Sequence, residues 1–142
     1  MQRYAQIALG LGIALWVALL FLAPGVLFPI GRYICHQRPD RSFFIHGHQM
    51  AVCARCTGLY VGAALAVPFA LLAAYAFSTS RARRILAIAA LPTLITWSLE
   101  FAGFAHFSNL TRFVAALPLG FTAGRLVLTT LAHGPRPFHK DH

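Results

Sequence analysis

Acidic side chains are scarce in this chain of 142 residues. There are only three of them, Asp40, Glu100 and Asp141, against twelve lysines and arginines. Charged residues of both signs make up 11% of the chain, whereas a soluble domain carries about 25%. Because 58% of the residues are hydrophobic, such a surface would not keep a monomer in water. The composition excludes an ordinary soluble domain and indicates that lipid is the solvent.

The excess of positive charge does not indicate a nucleic-acid partner. A formal charge of +9 would favour nucleic acid in a soluble protein, but here most arginines lie between long apolar runs. A nucleic-acid-binding protein is expected to carry a basic patch on a recognisable module. We therefore expect no nucleic-acid partner and expect anionic lipid headgroups to meet the arginines.

Four apolar runs are each long enough to span a bilayer, which takes about 20 residues. The first run carries no charge, and Pro24 and Pro29 are expected to loosen or end it. A cleaved signal peptide fits this run less well, because a signal core has roughly 7–15 apolar residues followed by a small-x-small site. The sequence predicts an all-α integral membrane protein, a single domain over 1–142 with four transmembrane helices. The expected spans are 4–30, 57–77, 85–107 and 112–132.

Two pairs of glycines are spaced four residues apart, Gly58 with Gly62 and Gly120 with Gly124. Small residues at this spacing let transmembrane helices approach closely. We expect the two glycine faces to pack helices of the same chain against each other. Oligomerisation through these faces is the alternative.

An even number of spans places both termini on one side of the membrane. The terminal side carries six lysines and arginines and the opposite side carries five. This difference is too small to decide the orientation by the positive-inside rule. If the arginines near the cysteines are discounted as functional, the count leans towards cytoplasmic termini and an outward-facing cysteine loop. Free thiols, in contrast, favour a reducing compartment.

The polar Cys/His loop between helices 1 and 2 holds all three cysteines. Cys53 and Cys56 form a C-x2-C pair, and seventeen residues separate Cys35 from Cys53. Three thiolates and one imidazole are a common tetrahedral zinc set. We therefore predict a metal site made of these cysteines and one histidine, with zinc as the expected metal and copper or iron as alternatives.

The fourth ligand of this site is open between three histidines. His36 follows Cys35 directly, and adjacent residues seldom bind one ion comfortably, so His46 and His48 compete with it. A thiol–disulfide oxidoreductase without metal is an alternative, because a C-x-x-C at a helix start favours the thiolate form. Plain packing of small apolar thiols at a helix end is the third interpretation.

Glu100 is the only acid inside an expected span. An ionisable residue in the membrane marks a functional site or is paired. Glu100 precedes the end of its span by seven residues, or about 10 Å at 1.5 Å per residue. That end lies at the same membrane face as the cysteine loop. We expect Glu100 either to form a structural pair with an arginine such as Arg112 or to act as a general base near the metal.

Several polar side chains are expected at this face to bind an anionic substrate. Guanidinium groups bind phosphate bidentately, although these arginines can also simply meet lipid headgroups. A metal centre among arginines suits an enzyme acting on a phosphorylated or prenyl-type lipid, with Glu100 and His36 as catalytic residues. The alternatives are a soft-metal (copper or zinc) binding or transport protein and a membrane oxidoreductase. The candidate substrate-binding residues are Arg38, Arg41, Arg55, Asn109 and Arg112.

A resemblance to a known family is carried by two segments, CHQRPDRS at 35–42 and MAVCARCTGLYVG at 50–62. They resemble the signature of small bacterial and archaeal membrane proteins known as domain of unknown function 2085. That pattern is similar to C-H-Q-x-P-x-R-S followed by M-x-x-C-x-R-C-x-G-x-Y-x-G, and Glu100, Asn109 and Arg112 resemble its later acid, Asn and Arg. The resemblance implies a four-helix fold in a prokaryotic cell (inner) membrane, and it implies no particular activity.

Overall fold

The computed structural model describes residues 2–72 and 79–133. Within them lie four long helices, α1 (Gln2–Leu22), α3 (Ala54–Leu72), α4 (Thr79–Phe101) and α5 (Asn109–His133), and one short helix, α2 (Pro24–Gly31). The four long helices are long and apolar enough to cross a membrane. Large apolar side chains on them, such as Leu11, Leu72 and Ile88, are exposed, as a lipid environment requires. The all-α membrane fold with four spans is confirmed.

The first expected span, 4–30, is two helices rather than one. Pro24 has no backbone N–H to continue α1, and it takes a place in the first turn of α2 instead. Ala23, between the two helices, has a non-helical backbone conformation with φ −137° and ψ 55°. The short α2 therefore forms a separate helix, which ends at Gly31, four residues before Cys35.

The ends of α4 also differ from the sequence expectation. The helix starts at Thr79, before the basic residues expected to form a turn, because arginine is a good helix former. It ends at Phe101 instead of 107. Gly103 has a φ of +75°, and the N–H groups of Gly103 and Phe104 donate to the carbonyls of Glu100 and Leu99. This is a glycine-based helix cap, and it places Glu100 in the last turn of α4.

α5 begins where the sequence provides a capping residue. The hydroxyl of Ser108 accepts a hydrogen bond from the N–H of Thr111 at 3.1 Å, which satisfies one of the free donors of the first turn. α5 then packs against α3, α4 and α1 and is the central helix of the bundle. The end expected for the second span at residue 77, and the histidine-containing tail after His133, lie outside the described residues.

The glycine pairs form the closest helix contact of the bundle. A Cβ atom on Gly58 would collide with the carbonyl oxygen of Phe113, and one on Gly120 would collide with that of Leu59. Gly62 and Gly124 face the opposite helix at similar range. The four glycines thus let α3 and α5 pack backbone against backbone within the chain.

The connection between α2 and α3 folds back over the end of the bundle. It forms a two-stranded antiparallel hairpin, β1 (Phe44–Ile45) with β2 (His48–Gln49). Its tight turn is made by His46 and Gly47, both with positive φ. The hairpin is followed by three fully buried residues, Met50, Ala51 and Val52, which pack with Leu20 and Leu27 into an apolar core. This buried segment fixes the position of Cys53.

Candidate metal and anion site

The three cysteine sulfurs come together at the end of the bundle. The Sγ atoms of Cys35, Cys53 and Cys56 all lie within 4.8 Å of one another, and the three thiols are free and half-buried. A tetrahedral zinc ion with Zn–S bonds of about 2.3 Å keeps its sulfurs about 3.8 Å apart. The cluster can therefore hold a metal ion with small side-chain adjustments.

The local fold explains why these three sulfurs meet. The N–H of Cys35 donates to the carbonyl of Gly31 at 2.9 Å, which ends the turn after α2. Cys53 precedes the first turn of α3, and its carbonyl accepts hydrogen bonds from the N–H and the hydroxyl of Thr57. Cys56 follows one turn later on the same side. The C-x2-C spacing thus presents both sulfurs at the start of one helix, opposite Cys35.

The surroundings of Cys53 favour its thiolate form. The backbone N–H of Cys53 donates to Sγ of Cys35 at 3.2 Å. A hydrogen bond from the Cys56 thiol lowers the pKa of Cys53 to about 5, although burial opposes this shift. Metal binding requires deprotonated cysteine, so Cys53 is available as a ligand at neutral pH without a further base.

Among the residues that the structure describes, no imidazole or carboxylate joins the sulfur cluster. His36 is exposed and lines the cavity next to the cluster, while His46 and His48 are exposed on the hairpin. The arrangement offers three protein ligands and one remaining position. Zinc sites with three protein ligands leave the fourth position for water or substrate.

Glu100 lies between two arginines. Its Oε2 is 2.5 Å from Nη2 of Arg55, and its Oε1 accepts from Nε of Arg112 at 2.8 Å. The backbone N–H of Phe107 also donates to Oε1 at 3.2 Å. The three side chains are 4%, 13% and 8% exposed for Glu100, Arg55 and Arg112, respectively. A carboxylate so fully engaged orients its partners, and this geometry does not favour a role as a free general base.

Asn109 extends this pair towards the loop. Its Oδ1 accepts from Nη1 of Arg112 at 2.7 Å, and its Nδ2 donates to the carbonyl of Ser42 at 2.9 Å. Nη1 of Arg112 also reaches the carbonyl of Asp40 at 3.2 Å. Asn109 itself is not among the residues that line the cavity. Its contacts indicate that it positions Arg112 and the loop.

A cavity of about 490 Å³ opens directly beside the sulfur cluster. Asp40 lies in a short 3-10 turn between two arginines. Its Oδ1 is 3.2 Å from Nε of Arg38, and its Oδ2 is 3.5 Å from Nε of Arg41. Desolvation raises the pKa of Asp40, but the hydrogen bond from Arg38 and the charges of Arg38 and Arg41 lower it by more. The pKa of Asp40 is therefore below its usual value, and Asp40 is an anion at neutral pH. Glu100 is covered by its arginines and does not line the cavity. Ten polar side chains surround this space: Cys35, Cys53, Cys56, His36, Gln37, Arg38, Arg41, Arg55, Thr93 and Arg112.

Two groups of site residues were missed by sequence reasoning. Gln37, with a φ of 47°, donates from Nε2 to the carbonyls of Phe28 and Ala51 at 2.7 and 2.8 Å. It ties α2 to the segment before Cys53, and its only signal was its place inside the family pattern. Thr93 and Trp97 line the cavity from α4, and nothing in the spacing of α4 distinguished them from lipid-facing residues.

The fold and the site together define a class, a four-span membrane protein with a three-cysteine cluster that can hold a metal ion. The family model described as "Predicted membrane protein (DUF2085)" matches residues 35–126. The chain belongs to this family, and the match includes the whole site. It begins at Cys35 and therefore leaves out α1 and α2.

Two relatives come from archaea. An uncharacterized protein of Methanothermobacter thermautotrophicus is 37% identical over 98 residues, which are 69% of this chain and 86% of the relative. An uncharacterized protein of Methanocaldococcus jannaschii is 37% identical over 99 residues, which are 68% of this chain and 62% of the relative. No solved structure matches the chain.

Proposed function

We propose that this protein is a metal-dependent membrane enzyme that acts on a phosphorylated anionic lipid. Zinc is held by Cys35, Cys53 and Cys56. The observation that carries this proposal is that the three-sulfur cluster and four arginines line one cavity. A three-sulfur set leaves a position for substrate, and guanidinium groups are suited to phosphate.

The residues that line the cavity have different roles in this proposal. Arg38 and Arg41 are partly exposed and meet the headgroup first, whereas Arg55 and Arg112 are held rigid by Glu100 and bind it more deeply. His36 is next to the cluster and exposed, so it can carry a proton between the cavity and water. The chemistry that zinc supplies when bound at such a site is polarisation of a water or a phosphoryl oxygen.

Glu100 contributes in this proposal as a positioning residue. It holds Arg55 and Arg112 in fixed orientations, and such preorganised charges act strongly on a phosphate. Nε of Arg55 is buried and has no hydrogen-bond partner among the described residues.

A soft-metal protein is the second candidate, because the cluster contains sulfur alone. Three thiolates suit Cu(I) as well as zinc. Transport of the ion across the membrane is less well supported, because the glycine contacts of Gly58 and Gly120 close the space between α3 and α5 below the cluster. Metal storage or delivery at the membrane face is the form of this candidate that suits the fold.

We infer that both termini face the cytoplasm of a prokaryotic cell. Arg38, Arg41, Arg55 and Arg112 at the site end are engaged with Asp40 or Glu100. Discounting them leaves the excess of cations at the other end, near Arg3 and Arg81. A reporter fused to the carboxyl terminus, active only on one side of the membrane, tests this orientation.

Elemental analysis and lipid analysis of the purified protein test the proposed function. We expect zinc on the order of one equivalent and a co-purifying phospholipid that Arg41→Ala depletes. Arg81→Ala, an exposed arginine at the other end of the bundle, is the matched control and should keep the lipid. Copper in place of zinc would support the second candidate. A metal-free protein with reactive thiols would support the oxidoreductase and end the zinc proposal.

A further inference from the structure

The cavity beside the cysteines continues towards the middle of the bundle, between α3 and α4. In the described part of the chain, α5 packs against both α3 and α4, while α3 and α4 make few direct contacts. The cavity receives Leu59 from α3 and Thr93 and Trp97 from α4. The space is therefore a cleft whose two sides are α3 and α4 and whose back is α5.

The cleft changes character with depth. Its upper part holds the sulfurs and the arginines, at the level where α3 starts and α4 ends. Leu59 lies one turn below Cys56, and Thr93 lies eight residues before the end of α4, which corresponds to about 12 Å along the helix. A site for a free ion needs no apolar extension of this depth. A molecule with a charged head and a hydrocarbon tail would use both parts.

Trp97 stands at the edge of the cleft and faces the bilayer. It lines the cavity, yet it is 49% exposed, and its ring stacks on Phe101 with centroids 5.2 Å apart. Tryptophan is favoured at the level of lipid headgroups, where its ring is half in hydrocarbon. Its position gives the cleft an apolar rim on the lipid side.

We propose that this cleft is a lateral portal through which a lipid with a phosphate monoester headgroup enters from the bilayer; the proposal rests on the function proposed above. The phosphate lies against Arg55 and Arg112 beside the sulfur cluster, and the upper part of the tail lies between Leu59 and Trp97. A volume of about 490 Å³ is within the range of roughly 300–1,000 Å³ for sites that enclose a whole small ligand. The headgroup and the start of one chain fit, and the remaining hydrocarbon stays in the bilayer.

A variant that narrows the cleft tests the portal. Leu59→Trp places a large ring inside it, and Ile95→Trp places the same ring on the exposed lipid face of α4, away from the cavity. We measure bound metal, binding of inorganic phosphate, and binding of phosphatidic acid in phosphatidylcholine nanodiscs. Leu59→Trp should keep the metal and bind inorganic phosphate within about twofold of the unaltered protein, but bind phosphatidic acid at least about tenfold more weakly. Ile95→Trp should change neither.

Unaltered binding of phosphatidic acid by Leu59→Trp would overturn the portal while leaving the metal site intact. Equal loss of inorganic phosphate and phosphatidic acid would also count against it, because the effect would then be on the headgroup site. If the unaltered protein bound inorganic phosphate as tightly as phosphatidic acid, free phosphate would be the ligand and the portal would be ruled out. A protein without metal would instead defeat the proposed function.

A second measurement does not depend on the folding of Leu59→Trp. The chain has two tryptophans, so Trp16→Phe leaves Trp97 as the only one. Phosphatidic acid brominated on its chains should quench the fluorescence of Trp97 at least about twofold more than equally brominated phosphatidylcholine at the same fraction. Excess inorganic phosphate should remove the difference. Equal quenching by the two lipids would contradict the portal.

Discussion

Nη2 of Arg55 lies 2.5 Å from Oε2 of Glu100, although the two residues are forty-five positions apart along the chain. Arg55 stands between Cys53 and Cys56 in the sequence, so this ion pair connects the start of α3 to the last turn of α4. The same carboxylate holds Arg112 at the start of α5. One acid thus joins three helices at the face where the sulfurs meet.

Replacing this acid should destabilise the protein strongly. Glu100→Gln keeps the shape of the side chain but leaves two buried guanidinium groups without their counter-charge. Removing one partner of a buried pair costs about 3–5 kcal/mol. We expect a large drop in the midpoint of thermal unfolding in detergent. Asp40→Asn, at an acid that is 57% exposed, is the control and should leave the midpoint unchanged; an equal drop in both variants would contradict the structural role of Glu100.

Metal binding should depend on each sulfur and not on the hairpin histidines. Cys56→Ser removes one of the three ligands, and we expect bound metal to fall to less than about one-fifth of an equivalent, because ligand loss weakens such sites steeply. His46→Ala changes an exposed residue of the hairpin turn and should keep its metal. Elemental analysis of both proteins measures this. Loss of metal in His46→Ala would mean that the loop rearranges to bring a histidine to the ion.

The contact between α3 and α5 should not tolerate a single added methyl group. A Cβ on Gly120 would meet the backbone of Leu59, whereas a Cβ on Gly12 in α1 would meet nothing within 4 Å. Overpacking of this kind costs about 1–3 kcal/mol. We expect Gly120→Ala to unfold at a clearly lower denaturant concentration and Gly12→Ala to be neutral or slightly more stable. If the two variants unfolded together, the close contact would not contribute to stability.

Gln37 should matter for the metal site although it is not a ligand. Gln37→Leu keeps the volume of the side chain but removes the donor shared by the carbonyls of Phe28 and Ala51. Unpaired carbonyls at this position cost about 1–3 kcal/mol, and the segment carrying Cys53 loses its tie to α2. Competition with a zinc chelator should show metal affinity reduced by about tenfold or more. Unchanged affinity would show that the buried segment from Met50 to Val52 alone is sufficient.

The convergence of cysteines, Glu100 and Arg112 at one face could be predicted because it depends only on counting spans. Four helices of known length place the start of α3, the end of α4 and the start of α5 at the same surface. It could not be predicted that Arg55, the arginine between the two cysteines, pairs with Glu100. That contact depends on how α4 is rotated and on where it ends, and the end is set by the positive φ of Gly103.

Other parts of the site depend on contacts that leave no local pattern. Pro24 was expected to loosen or end the first helix, but the consequence of this break, a separate α2 that leads to Cys35, depends on packing around Leu20 and Leu27. The cleft at Trp97 arises because α5 keeps α3 and α4 apart. A residue beside such a gap looks the same in sequence as one facing lipid, since both positions are apolar and both are exposed.

Because Arg55 lies between Cys53 and Cys56 in the sequence and also lines the cavity, the proposed function predicts that metal binding and phosphate binding are coupled. An ion that orders Cys53 and Cys56 also orders the backbone of Arg55, so less entropy remains to be lost when phosphate binds. Thermodynamic reciprocity then requires phosphate to tighten the hold on the metal by the same factor. Titration of phosphate into metal-free and zinc-loaded protein measures that cooperativity directly, and equal affinities in the two forms would show that the neighbouring sites act independently.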